Sequence, residues 1–180
     1  PKIPDRTKSI LNKNKAIFSY LIGTAKNLEK AGADFILLAC NASHRYLKDI
    51  ENSINIPVFN MINLTMESIN HNNNNKLKNI GLLATDGTLK ESLYQKYSDS
   101  KKINWLTLNN NEQKRLMNLI YKIKAGQEPD TLNREFGKLL LSLKKKDAEC
   151  IILACTELSL FRQAFKNKFT LIDPLTVLAQ

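Results

Sequence analysis

A chain of 180 residues and 20.5 kDa can bury one large core or two smaller ones, and 43% hydrophobic, 24% charged and 7% aromatic residues exclude a disordered or fibrous protein. The longest apolar runs, Phe35 to Cys40 and Cys150 to Cys155, span six residues, far short of the roughly 18 to 20 that cross a bilayer, and the opening Pro1-Lys2-Ile3-Pro4-Asp5-Arg6 lacks the apolar stretch of a secretory signal. The net charge of +10 comes from 22 Lys and 5 Arg beside 21 Asn, a Lys- and Asn-rich surface without the Arg and aromatic clustering of a nucleic-acid site, and an odd three Cys argue for reduced thiols in the cytoplasm.

Apolar residues at helical spacing (Ile17, Phe18, Leu21, Ala25, Leu28) predict a helix over 14–30 that closes near Gly32. The continuous run 34–39 reads as a strand buried on both faces, as in a parallel sheet, with Cys40 at its carboxyl end. A helix over 43–53 and a strand over 56–59 complete a βαβ unit. A helix over 61–70 leads to the polar tract His71-Asn-Asn-Asn-Asn75, where periodicity stops. Strand 77–84 restarts the pattern, and Thr85-Asp86-Gly87-Thr88 caps a helix from Leu89 to about Ser98. Then follow a strand over 103–108, helices over 112–124 and 129–146, the buried strand Cys150–Ala154, a helix over 157–166 and a strand over 169–172. Asp173-Pro174 suits the start of a last helix, cut off at Gln180. The expected fold class is α/β with two pseudo-symmetric lobes, each a mostly parallel sheet flanked by helices. The expected organisation is a first lobe over 1–70 to which 168–180 return, a linker over 71–75 and a second lobe over 76–167, with a site between the lobes.

One internal similarity orders the chemistry. Gly32 to Asn41 and Lys146 to Thr156 share a polar turn, an apolar strand, Ala-Cys and a small polar residue. In open parallel sheets ligands gather at the carboxyl ends of strands, where Cys40 and Cys155 both stand. A thiol at a helix N-terminus has its pKa drawn down toward neutrality and can act as a base. A single Cys at a strand end is as readily a packed residue; two in matching contexts stand out. Cys150, inside the strand, reads as core.

Cys40-Asn41-Ala42-Ser43-His44 resembles the Cys-Asn-Thr-x-His motif, and Cys155-Thr156-Glu157 the Cys-Thr-Glu motif, of the aspartate/glutamate racemase family. Glu157 points to its aspartate racemase branch, since glutamate racemases usually carry His there. Pro4-Asp5-Arg6-Thr7, Leu83 to Thr88 and Ile120 to Gly126 agree in the same order. The resemblance implies two facing α/β lobes and a racemase of acidic amino acids, aspartate foremost, that uses neither pyridoxal phosphate nor metal, so no cofactor is expected. It further implies that Cys40 and Cys155 exchange the roles of base and acid on opposite faces of the substrate. Arg6 and Lys124 match the family's cationic positions for the substrate, and Asn41, Ala42, Thr85, Thr88, Thr156 and Glu157 complete the binding set. Beyond that small acidic amino acid, composition and the short apolar runs imply no nucleic-acid or membrane partner, and the resemblance adds a homodimer as an expectation.

Two departures bear on these expectations. Ala42 replaces the family's Thr, leaving its backbone N–H and the neighbouring Ser43 as substitutes. Family members also carry a strand and Gly-rich loop before Pro-Asp-Arg and a longer last helix, so the chain reads as truncated at both ends. These departures motivate the alternative of a catalytically impaired racemase-like protein that only binds small carboxylates.

Overall fold

The computed structural model describes residues 3–14, 16–72, 77–98 and 103–180. The chain starts with a helix that the periodicity does not announce, α1 (Arg6–Leu11), capped by Asp5, whose side chain accepts from the Lys8 N–H. Next come α2 (Ala16–Lys30), β1 (Ile36–Leu37), a 3-10 turn (Asn41–Tyr46) running into α3 (Leu47–Glu51), β2 (Val58–Phe59) and α4 (Met61–Asn72). The second half holds β3 (Asn79–Ala84), α5 (Asp86–Lys90), α6 (Leu93–Lys96), β4 (Asn104–Leu106), α7 (Asn110–Lys124) and a 3-10 turn (Pro129–Leu132) leading into α8 (Asn133–Lys144). It closes with β5 (Cys150–Ala154), a 3-10 turn (Thr156–Phe161), α9 (Arg162–Phe165), β6 (Leu171–Ile172) and α10 (Pro174–Leu178). Every strand pairing is parallel: β1 with β2, and separately the order β4-β3-β5-β6. No helix among the described residues is long and apolar enough to cross a membrane.

The large sheet is buried on both faces, which explains the unbroken apolar reading of β3 and β5. Ile80, Leu82 and Ala84 of β3, with Cys150, Ile152 and Ala154 of β5, pack under α4 and α6. The alternate residues Leu83, Ile151, Leu153 and Cys155 pack under α7 and α8. Cys150 and Cys155 are five residues apart, so the two-residue strand period sends them to opposite faces. Cys150 is core, and burial pushes its thiol up to about 12.

Four expectations change. First, residues 168–180 divide: β6 pairs with β5 of the large sheet, whereas α10 packs on α4, a helix of the expected first lobe. α4 itself joins the core under the large sheet, through Ile62, Met66 and Ile69. Second, His71 and Asn72 extend α4, and the rest of the expected linker, 73–75, lies outside the described residues. Third, β1 is not buried on both faces: Ile36 joins Ile17, Leu21 and Ala25 in the small core, while Phe35 and Leu37 stay about half exposed beside Phe59. Among the described residues nothing covers that side of a sheet of only two strands. Fourth, the helices expected over 43–53, 129–146 and 157–166 each open with a 3-10 turn, and the one from Leu89 begins instead at Asp86 and breaks at Ser92, which has φ 49.

Candidate active site

Cys40 and Cys155 occupy equivalent positions in their lobes. Each follows a parallel strand in extended backbone, φ −157 and ψ 112 for Cys40 and φ −152 and ψ 131 for Cys155, and each precedes a six-residue 3-10 turn that runs into a short α-helix. The repeat seen in the sequence is thus a repeat of local structure. Both thiols line one cavity of about 50 Å³, room for about three to five waters at ~10–15 Å³ each and therefore for a small ligand only.

All ten residues singled out in the sequence border this cavity. Cys40, Asn41 and Ala42 enter from the first lobe, and Cys155, Thr156 and Glu157 from the end of β5. Thr85 and Thr88 come from the loop after β3, where Thr85 Oγ1 accepts from the Thr88 N–H at 3.3 Å as the cap of α5. Lys124 ends α7, and Arg6 opens α1. Ser43 is buried but lines a neighbouring apolar groove instead, so it does not replace the hydroxyl missing at Ala42. The sequence reading missed Thr7, Ala39 and Ala154 on the wall, and Asp5 and Tyr94 behind it.

α1 brings Arg6 to the cavity by lying against α5. A Cβ at Gly87 would stand 3.1 Å from Thr7 Cα, tight enough that α1 would have to give way slightly to admit a side chain there. Lys90 Nζ donates to the Leu11 carbonyl at 3.3 Å, and Lys124 Nζ reaches Asp5 Oδ2 at 3.1 Å. Lys124 also lies 3.9 Å from Glu157 Oε1. Burial opposes its charge, yet the Asp5 bond and Glu157 outweigh it and hold the ammonium above its ordinary pKa. Asp5 is likewise penalised by burial, but the Lys8 N–H, Lys124 and Arg6 leave its carboxyl below the usual range. Lys124 is therefore committed within the protein. Among the described residues the Arg6 guanidinium donates one long hydrogen bond, 3.4 Å to the Pro4 carbonyl.

The expectation of a lowered thiol pKa fails at Cys155. Its Sγ donates to Glu157 Oε2 at 2.9 Å. Burial, followed by the Glu157 charge and that hydrogen bond, pushes the thiol well above its ordinary value. The 3-10 turn beyond it is too short to offset these terms. Cys40 is more exposed than Cys155.

Both ring nitrogens of His44 are engaged by backbone groups. The Met61 N–H donates to Nε2 at 3.0 Å, so Nδ1 carries the proton and donates to the Cys40 carbonyl at 2.9 Å. The ring clamps the backbone of Cys40 to the start of α4. Burial lowers its pKa from 6.5 to about 4. Since the unfolded chain binds this proton first, stability is full above about pH 6.5 and falls as the pH drops toward 4, by about 3 kcal/mol at ~1.4 kcal/mol per unit. Denaturant titrations across this range are expected to show that acid loss in the wild type and its disappearance in His44→Gln; an unchanged slope in the variant would contradict the clamp.

Comparison with known proteins gives a consistent likeness. The Asp/Glu/hydantoin racemase family model matches residues 1–180. The chain is 27% identical over 166 residues to the broad specificity amino-acid racemase RacX of Bacillus subtilis (strain 168), a match spanning 89% of this chain and 68% of that protein. Picrophilus torridus aspartate racemase superposes with a TM-score of 0.85 at 24% identity, over 99% of this chain and 73% of that one. The glutamate racemase isoform RacE1 of Bacillus anthracis gives 0.71 at 19% identity, over 99% and 65%. The two structural matches concern the fold.

Proposed function

The chain belongs to the Asp/Glu/hydantoin racemase family, a family of amino-acid racemases, and from that premise we propose that it racemises acidic amino acids, aspartate foremost, by proton transfer between Cys40 and Cys155. The observation that carries this reading is the pair of thiols at equivalent strand ends on one small cavity. Inversion at Cα needs a base on one face and an acid on the other, with the roles exchanged for the reverse direction. One thiolate takes the α-proton, leaving a carbanion, and the opposite thiol gives its proton to the other face. A C–H bond breaks on one side as another forms on the other, with no oxidant or reductant.

The Glu157 bond gives the cycle a starting point: Cys155, donating to that carboxylate, enters as the acid opposite Cys40 as the base. For the enantiomer whose α-proton faces Cys155, that thiol must first surrender its proton. Arg6 supplies the planar, doubly donating cation for a side-chain carboxylate, a role that Lys124, engaged with Asp5, is less free to take. The aspartate racemase likeness supports an acidic substrate, and the broad specificity relative marks how far the range extends in the family. Chiral chromatography of L-aspartate incubated with the protein is expected to show D-aspartate accumulating toward an equal mixture. No conversion of aspartate, glutamate or any other acidic amino acid would overturn the reading and leave a protein that only binds small carboxylates.

A further inference from the structure

Asn41 is 3% exposed, and the two ends of its amide are treated differently. Oδ1 accepts a hydrogen bond of 2.6 Å from the Tyr94 hydroxyl. Nδ2 is buried and without a partner among the described residues. A buried donor left unpaired is destabilising, and such groups in folded proteins call for an explanation, a missing ligand among them. Asn41 lines the cavity and adjoins Cys40. Because the α-proton and the α-carboxylate share one carbon, a residue next to the base is within reach of that carboxylate.

Tyr94 decides which end of the amide serves it. It rises from α6, is fully buried against Trp105, and belongs to the core under the large sheet. Burial, with Asp173 and Cys155 nearby, raises its hydroxyl pKa well above 10, so it stays a donor. An amide can turn over by half a rotation, which would present its oxygen to the ligand and repel a carboxylate. A fixed hydroxyl donor on Oδ1 removes that choice. On the proposed racemase reading, we infer that Tyr94, through its hydroxyl bond to Asn41, is a positioning residue that holds the Asn41 N–H2 ready for the α-carboxylate of the bound amino acid.

Tyr94→Phe deletes the hydroxyl and keeps the ring in its packing. The KM for aspartate is expected to rise about tenfold, the loss of one hydrogen bond to a charged group, while kcat and its pH profile change little. In an Asn41→Ala background the same change should add nothing, because Tyr94 acts only through Asn41. Asn41→Asp, which keeps an oxygen for Tyr94 but replaces the donor, should raise KM at least as far, and this variant decides the matter should Tyr94→Phe fold poorly. An unchanged KM in Tyr94→Phe or in Asn41→Asp, or an undiminished rise in the Asn41→Ala background, overturns the assignment. A wild-type protein that racemises aspartate beside such results leaves the proposed function standing, whereas one that neither racemises nor binds it removes both.

Discussion

Cys40→Ser and Cys155→Ser are each expected to lower aspartate racemisation by about a thousandfold or more, since a positioned acid or base contributes ~10²–10⁴ and a serine hydroxyl is too weak an acid to become the base at neutral pH. The losses should differ in kind. Cys155→Ser keeps the more exposed thiol, so it should still exchange the α-proton of the enantiomer presented to Cys40. Cys40→Ser is left with a thiol that burial and the Glu157 carboxylate hold protonated, and should exchange the other enantiomer only at higher pH. Adding Glu157→Gln removes the charge that opposes ionisation, so the onset should move to lower pH. Cys150→Ser, on the opposite face of β5, should retain activity and lose stability on the order of 1 kcal/mol. Activity lost in Cys150→Ser but kept in Cys155→Ser would show that the second base is misassigned.

Arg6→Ala is expected to cut kcat/KM for aspartate about a hundredfold or more, two charge-assisted bonds at ~1.5–3 kcal/mol each, and to leave any turnover of alanine nearly unchanged. The contrast follows from how the two cations are held. Lys124 is bound to Asp5 at 3.1 Å and faces Glu157 at 3.9 Å, whereas among the described residues the Arg6 guanidinium donates only a long 3.4 Å bond to the Pro4 carbonyl. Arg6→Lys should recover part of the loss, because an ammonium keeps the charge but not the fork. Equal losses for aspartate and alanine would mean that Arg6 supports α1 rather than a side-chain carboxylate.

What the sequence discloses follows burial. β5, enclosed on both faces, reads correctly from Cys150 to Ala154 because every position is apolar. α7 is legible through its amphipathic stripe and the Asn109–Glu112 capping box, although it starts two residues before the expected Glu112. The 34–39 run misleads, since its five apolar residues from Phe35 to Ala39 look the same whether a sheet is covered on one side or two, and here Phe35 and Leu37 remain exposed. α1 escapes because six residues give too little periodicity, though Asp5 ahead of Arg6 is a capping signal. The placement of 168–180 depends on which sheet edge is free for β6, a tertiary matter that no local pattern carries. The cavity residues are legible as motifs, but the electrostatics of Cys155 are not, because the burial and the 2.9 Å Glu157 bond exist only in the folded chain. Tyr94, 53 residues from Asn41, has no sequence signal at all.

The proposed pair of thiols, working on opposite faces of one carbon, leaves an isotopic signature that is read by racemising a single, fully protonated enantiomer of aspartate in deuterated buffer and analysing substrate and product at low conversion. With two bases the product acquires its α-hydrogen from a thiol equilibrated with solvent, so D-aspartate formed from L-aspartate should carry deuterium almost completely while the recovered L-aspartate remains mostly protonated. Product that retains the original α-proton, or deuterium entering both enantiomers equally from the outset, would show a single base serving both faces and contradict the account.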